Sequence, residues 1–308
     1  MNLPRIAARV FNTPLLYDAG KAAAFLEAFG GRITGGDIVI DGAAAPVYHV
    51  AFQNNRPSLG RLGDRLGRKF DQHGIAPFDV VDGEIAIIPI EGTLVHKGAF
   101  IGQSSGETSY QGLQTQVRRA ATSDKIKGAV FEVDSFGGEA AGAFETADMI
   151  AELSKIKPTV AILTDFAMSG GYLLAAAART IVMPEFGQAG SIGVVRMHVD
   201  YSRKLENDGI KVTFITAGKH KADGNSFERL PDELVAKLQA EAEAMRQGFA
   251  AHVGKYRRKR MSAAQAIATE ADVFRGPDAM RLGLADAVAP SNEAFSAFVD
   301  NIKRRGRR

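Results

Sequence analysis

The chain has 308 residues, 45% hydrophobic and 24% charged, with a formal net charge of +3. That is enough for one large core plus a smaller appendage, in the proportions of an ordinary soluble globular protein. It has no cysteine, which excludes disulfides, thiolate metal sites and a cysteine nucleophile, and its six histidines follow no metal-ligand spacing, so neither metal nor cofactor is expected.

Residues 1–80 differ from the rest. A short helix is predicted over 18–29, closed by Gly30 and Gly31, with short strands over 37–40 and 47–52. Residues 54–73 are polar and Arg-rich and read as a connecting or partner-facing segment. A boundary near 78–83 gives an N-terminal α+β extension over 1–80, a main domain over 81–290 and a basic tail over 291–308. Within the main domain strand and helix signals alternate. Strands are predicted over 84–90, 128–133, 159–163, 181–183 and 212–216, and helices over 109–121 and 171–179. Between the second and third strands lies a helix whose stripe is Ala140, Ala143, Phe144, Ala147, Ile150 and Ala151. This order argues for an α/β fold of repeated parallel βαβ units.

A long helix follows over 231–256, with Pro231 in its first turn and Leu234, Leu238, Ala242, Met245 and Phe249 on one side. Ser262 and Gln265 then form a capping-box pattern. The most apolar stretch, 159–178, contains Asp165 and a Ser-Gly-Gly, which a spanning helix would exclude, so no membrane association is expected. The basic runs 255–260 and 303–308 lack interleaved aromatics. They read as a solvated helix end and a frayed tail, with nucleic-acid binding not expected beyond weak tail contacts.

Three short segments carry chemistry. Asp134-Ser135-Phe136-Gly137-Gly138 follows a strand, and its glycines let the backbone turn tightly and present N–H groups to an oxyanion; it also reads as a plain tight turn. Met168-Ser169-Gly170-Gly171-Tyr172 puts a serine at a strand-to-helix turn, as a nucleophile or as an ordinary helix cap. Gly218-Lys219-His220-Lys221 lies in a Gly-flanked loop, which holds a lysine in place or is simply a solvated basic loop.

Together with Glu91-Gly92-Thr93, the turn Gly190-Ser191-Ile192-Gly193-Val194 and the stretch from Ala279 to Asp286, these segments resemble the signal peptide peptidase family of serine proteases, and within it the phage capsid assembly protease C branch. The match covers roughly residues 84–290, and the N-terminal segment is similar to the phage branch. The resemblance implies a ClpP/crotonase-like fold, Ser169 as nucleophile and Lys221 as general base. It implies backbone N–H groups of Gly138 and Gly170 as the oxyanion hole. Ser191 is a candidate orienter of the lysine. Phe136 stands where the family usually has proline, which puts the rigidity of that turn in question. ClpP itself uses a Ser-His-Asp triad, and His198 is the candidate for such a reading.

A lysine must be neutral to accept a proton, which demands about 4 kcal/mol of preference for the neutral form, within what burial supplies. Phe166, Met168, Leu173, Phe214 and Ile215 are the expected walls, and the strand beginning at Glu84 is expected to hold substrate as an added β-strand. The resemblance also implies a ring or dome of copies, with serine and lysine drawn from neighbouring subunits. The expected role is a prohead protease cutting scaffold, capsid or portal proteins, in the host cytoplasm within the assembling prohead. No scaffold segment follows the protease region, so a scaffold is expected as a separate chain. The alternatives are a soluble peptidase of signal-peptide or other peptide fragments, a non-proteolytic capsid assembly factor and a crotonase-like acyl-CoA enzyme. The last would need acidic catalytic residues at the oxyanion corner.

Overall fold

The structure is a computed structural model and describes residues 13–17, 64–74, 76–98, 103–104 and 106–306. The helix expected over 18–29 and the strands expected over 37–40 and 47–52 lie outside these residues.

Three parallel strands form the spine: β3 (Ile85–Val95), β6 (Gly128–Glu139) and β7 (Thr159–Met168). β1 (Leu15–Tyr17) and β2 (Asp79–Val81) precede them, with β4 (Gln103–Ser104) and β5 (Glu107–Ser109) between β3 and β6. Later come β8 (Thr180–Met183), β9 (Gln188–Gly190), β10 (Val273–Arg275) and β11 (Ala287–Val288). The sheet runs β10-β9-β7-β6-β3-β5-β4; β1 pairs with β6, β2 with β3, and β8 with both β7 and β11. The start of β6, Gly-Ala-Val-Phe, is buried on both faces, as expected of a parallel strand covered on both sides.

One face is covered by α2 (Tyr110–Thr122), α3 (Ala143–Ile156) and α4 (Gly170–Ala176), together with the last turns of α6 (Asp232–Arg257). These bury Ile88, Ile90, Phe131, Val133, Leu163, Leu173 and Phe249 in the main core. The opposite face is covered at the beginnings of the strands by α9 (Ser291–Gly306), through Val299 and Ile302 against Ile85, Val130 and Val160. The remaining helices are α1 (Arg65–Gln72), α5 (Ser202–Asn207), α7 (Ala263–Ala268) and α8 (Gly276–Leu282). Ser262 and Gln265 form the expected capping box on α7.

Several expectations are corrected. The central strands do not stop where their apolar runs stop. β3, β6 and β7 continue through the motif residues, with register shifts between Glu91 and Thr93 and between Val133 and Ser135. Residues 212–216 form no strand; they are exposed, and no strand among the described residues pairs with them. The segment expected as a connector contains α1, whose Leu66 is buried, and Asp64 beside it pairs with Arg118 of α2 at 2.9 Å. The expected basic tail over 291–308 is helix to Gly306, including the start of the 303–308 run expected to be frayed, and its apolar side is part of the second core. Pro231 caps α6 rather than entering its first turn, and the first half of that helix is largely solvent-facing apart from Leu234.

Candidate active site

Ser169 joins β7 to α4 with φ 50° and ψ −119°, a conformation that residues with a side chain rarely adopt. Its N–H donates to the Gly190 carbonyl (2.9 Å), and its own carbonyl accepts from Leu173 N–H (2.9 Å). The residue is 1% exposed, and its Oγ has no hydrogen-bond partner among the described residues. The serine stands at the N-cap position of α4, but its side chain makes no capping hydrogen bond. A buried hydroxyl left unpaired costs about 1–3 kcal/mol, and strain held at such a turn points toward chemistry.

The two glycine turns pack against each other. Gly137 has φ 95°, and a Cβ on it would stand 2.8 Å from Gly170 N and 2.0 Å from the Leu16 carbonyl oxygen. A Cβ on Gly138 would lie 1.9 Å from the Leu94 carbonyl oxygen, and one on Gly171 would lie 2.7 Å from that of Ser135. These approaches explain why the motifs require glycine at these positions.

Ser135 knits the corner. Its hydroxyl donates to the Gly92 carbonyl (2.6 Å) and accepts from Gly137 N–H (3.1 Å), tying the Glu-Gly-Thr segment to the Asp-Ser-Phe-Gly-Gly turn. Tyr110 supports it from below: its hydroxyl donates to the Glu139 carbonyl (2.9 Å) and lies 3.3 Å from where a Cβ on Gly170 would be. Burial, with the nearby Glu139, pushes the Tyr110 phenol far up, so it stays a neutral donor. Neither role was visible in sequence. Ser135 was quoted only as part of a motif, and Tyr110 carried no signal beyond opening a helix. Phe136, the departure from the family pattern, lies against Phe166 with ring centroids 4.6 Å apart, a contact that steadies the turn without proline.

Carboxylates gather on the sheet face that α9 leaves open. Glu91 and Asp134 are register partners. Burial and the neighbouring Glu132 and Asp134 raise the Glu91 carboxyl. Burial and Asp165 raise Asp134 against an opposing hydrogen bond from the Phe166 backbone. Among the described residues, no group of three or more His, Asp or Glu side chains is placed to hold a metal ion.

Ser191 follows the glycine whose carbonyl holds Ser169. It has φ 53°, is 8% exposed, and donates its N–H to the Asp272 carbonyl (2.9 Å). Lys221 lies elsewhere, exposed in a turn where its N–H donates to the Gly218 carbonyl (3.2 Å). The expected walls separate into two groups: Met168 and Leu173 are buried, whereas Phe214 is 38% and Ile215 97% exposed. Within one copy the lysine is thus neither enclosed nor bonded to the serine. His198 is half-buried and makes no hydrogen bond to Ser169 Oγ. Lys219 faces Glu233 at 3.9 Å. β3 is paired with β6 on one side, and on its other edge β2 pairs with Ile85–Ile87 and β5 with Thr93–Val95.

The C-terminal Ala279–Asp286 motif is structural. Arg257, fully buried, pairs with Asp286 at 2.9 Å and donates from Nε to the Gly283 carbonyl (2.9 Å). Asp286 also accepts from Ile181 N–H (2.7 Å), and Tyr172 donates its hydroxyl to the Leu284 carbonyl (3.0 Å), so the motif braces β8 and α4.

The α/β sheet thus carries a buried serine at a strained strand-to-helix turn, the placement a nucleophile needs. The model of peptidase family S49 matches residues 151–303, a span that contains both Ser169 and Lys221. The chain belongs to peptidase family S49. It is 34% identical over 304 residues to capsid assembly protease C of Escherichia phage lambda, covering 99% of this chain and 67% of that protein. It is 35% identical over 300 residues to head-tail preconnector protein GP5 of Enterobacteria phage P21, covering 96% and 57%. It is 31% identical over 215 residues to the chloroplastic serine protease SPPA of Arabidopsis thaliana, covering 69% and 32%. The chain therefore spans about 67% and 57% of the lengths of its two phage relatives. Among solved structures, a substrate-peptide complex of the 1510-N membrane-bound stomatin-specific protease resembles it at TM-score 0.40 and 16% identity, covering 68% and 77%. Among the described residues, no helix is long and apolar enough to cross a membrane.

Proposed function

We propose that this chain is a prohead serine protease that cuts scaffold, capsid or portal proteins during phage head maturation, acting inside the assembling prohead in the host cytoplasm. One observation carries the reading: Ser169 is buried, strained and uncapped beside two interlocked glycine turns. The likeness to two phage proteins over nearly the whole of this chain supports the setting.

In this reading Ser169 attacks the scissile carbonyl while Lys221 takes its proton. Gly138 and Gly170 N–H groups hold the oxyanion, Ser191 orients the lysine, and water completes deacylation. The lysine comes from a neighbouring copy. The segment leading to it leaves Ile210, Val212, Phe214 and Ile215 exposed, an apolar edge that a second copy would bury together with Lys221. Activity then waits on assembly.

The test is co-expression with the scaffold, capsid and portal proteins, comparing wild type, Ser169→Ala and Lys221→Ala by intact mass. Wild type is expected to trim a partner and both variants to leave it whole. Cleavage by Ser169→Ala would overturn the nucleophile. An inert wild type in assembled particles would favour a non-proteolytic assembly factor.

A further inference from the structure

β1 lies in the active site. Its register on β6 pairs Leu15 with Glu139, Leu16 with Gly138 and Tyr17 with Gly137, antiparallel. On its other side Leu15 exchanges two hydrogen bonds with Val195, N–H to carbonyl at 2.9 Å and carbonyl from N–H at 3.0 Å. Ala140 N–H donates to the Pro14 carbonyl (3.4 Å). Bonded pairs alternate along an antiparallel ladder, so the next pair to exchange bonds is Leu16 with Gly138. Successive residues of the segment thus bond alternately to the glycine strand and to the bridge at Val195, as an extended peptide does between two edges.

The Leu16 carbonyl oxygen is aimed at the glycine corner. It lies 2.0 Å from where a Cβ on Gly137 would stand and 3.3 Å from where one on Gly170 would stand. Leu16 itself is fully buried in the main core and Leu15 is 6% exposed. On the amino side Thr13 and Pro14 line a pocket of about 440 Å³ together with Glu139, Phe144 and Met245.

We propose that residues 14–17 are an internal substrate strand: they close the Ser169 site in cis, and Leu16–Tyr17 is the bond the enzyme cuts in its own chain. The inference rests on Ser169 being the nucleophile and adds the substrate class, extended peptides with an aliphatic residue on the acyl side of the cut. Ser169 Oγ bonds to the Leu16 carbonyl carbon as Lys221 takes the hydroxyl proton. The Leu16–Tyr17 C–N bond breaks as that proton passes to the Tyr17 nitrogen. Water then adds to the ester, leaving a Leu16 carboxylate and restoring the serine hydroxyl. Until the cut, the strand keeps other substrates out.

The full chain is concentrated under assembling conditions as wild type, Ser169→Ala and Tyr17→Pro. It is followed by intact mass, N-terminal sequencing, labelling of Ser169 with a fluorophosphonate and hydrolysis of a fluorogenic leucyl peptide. Proline at 17 leaves Leu16 in the extended conformation it already has while making the bond resistant to cutting. Wild type is expected to acquire Tyr17 as a new N-terminus, with labelling and hydrolysis rising in step. Ser169→Ala is expected to stay whole, and Tyr17→Pro to stay whole and be labelled about tenfold more slowly, because only chains with the strand withdrawn accept the probe. Immediate labelling and hydrolysis in wild type and Tyr17→Pro alike, with Leu16–Tyr17 intact, would reject the inference and leave the nucleophile standing. Cleavage elsewhere in the chain, undiminished in Tyr17→Pro, would reject the register. Absence of both labelling and hydrolysis under all conditions would remove the nucleophile, and the inference with it.

Discussion

Gly137 and Gly170 meet backbone to backbone: a Cβ on Gly170 would stand 3.4 Å from the Gly137 Cα, and a Cβ on Gly137 would stand 2.8 Å from the Gly170 nitrogen. Two motifs far apart in sequence therefore form one corner beside Ser169, and its geometry tolerates no side chain on the Gly137 side. Gly137→Ala adds a left-handed φ of 95° to that clash. It is expected to cost on the order of 3 kcal/mol and to abolish peptide hydrolysis, measured by urea denaturation and by a fluorogenic assay.

Ser169→Ala is expected to abolish activity and raise stability. It removes a buried hydroxyl without a partner, a gain of about 1 kcal/mol, or roughly 2–4 °C in melting temperature. A lower melting temperature in calorimetry would mean that the hydroxyl contributes to packing.

Lys221→Ala is expected to abolish activity while leaving the stability of the isolated chain within about 0.5 kcal/mol, since the side chain is exposed. Co-assembling equal amounts of Ser169→Ala and Lys221→Ala then tests the shared dyad. A site built from two copies recovers about a quarter of wild-type activity by random pairing, and a dyad within one copy recovers none.

Arg257→Ala removes a fully buried guanidinium from Asp286, which keeps Arg260 at 2.5 Å, and is expected to cost about 1.5–3 kcal/mol in chemical denaturation. The loss is felt at α4, because the same motif holds Tyr172 through the Leu284 carbonyl.

Asp134 carries a carboxyl raised by burial and by Asp165. The folded chain therefore holds that proton more tightly than the unfolded chain does. The resulting stability is present below the unfolded value and lost as pH rises through the folded one. Asp134→Asn is expected to be more stable than wild type at pH 7.5 and to lose that advantage below the ordinary carboxylate range, read from melting temperatures at the two pH values.

The alternation of apolar strands and helices was legible because buried parallel strands are continuous apolar runs, as in residues 128–133. The strand ends were not. Beyond Val133 the β6 residues other than Phe136 are polar or glycine, yet pairing continues to Glu139 because backbone bonds do not need apolar side chains. Residues 212–216 misled in the opposite direction. Their β-branched and aromatic residues suit a strand, but no strand among the described residues pairs with them.

The sequence by itself determined the α/β class, the glycines that the turns require and the serine at the end of a buried strand, since all of these follow from local pattern and spacing. Only the tertiary structure decided that the serine is uncapped and strained, and that Ser135 and Tyr110 support the corner. It alone decided that Lys221 is exposed within one copy and that Leu15–Tyr17 pairs with the glycine strand. Those facts depend on which distant backbones approach one another, and a linear pattern of apolar and polar residues carries no information about such pairings.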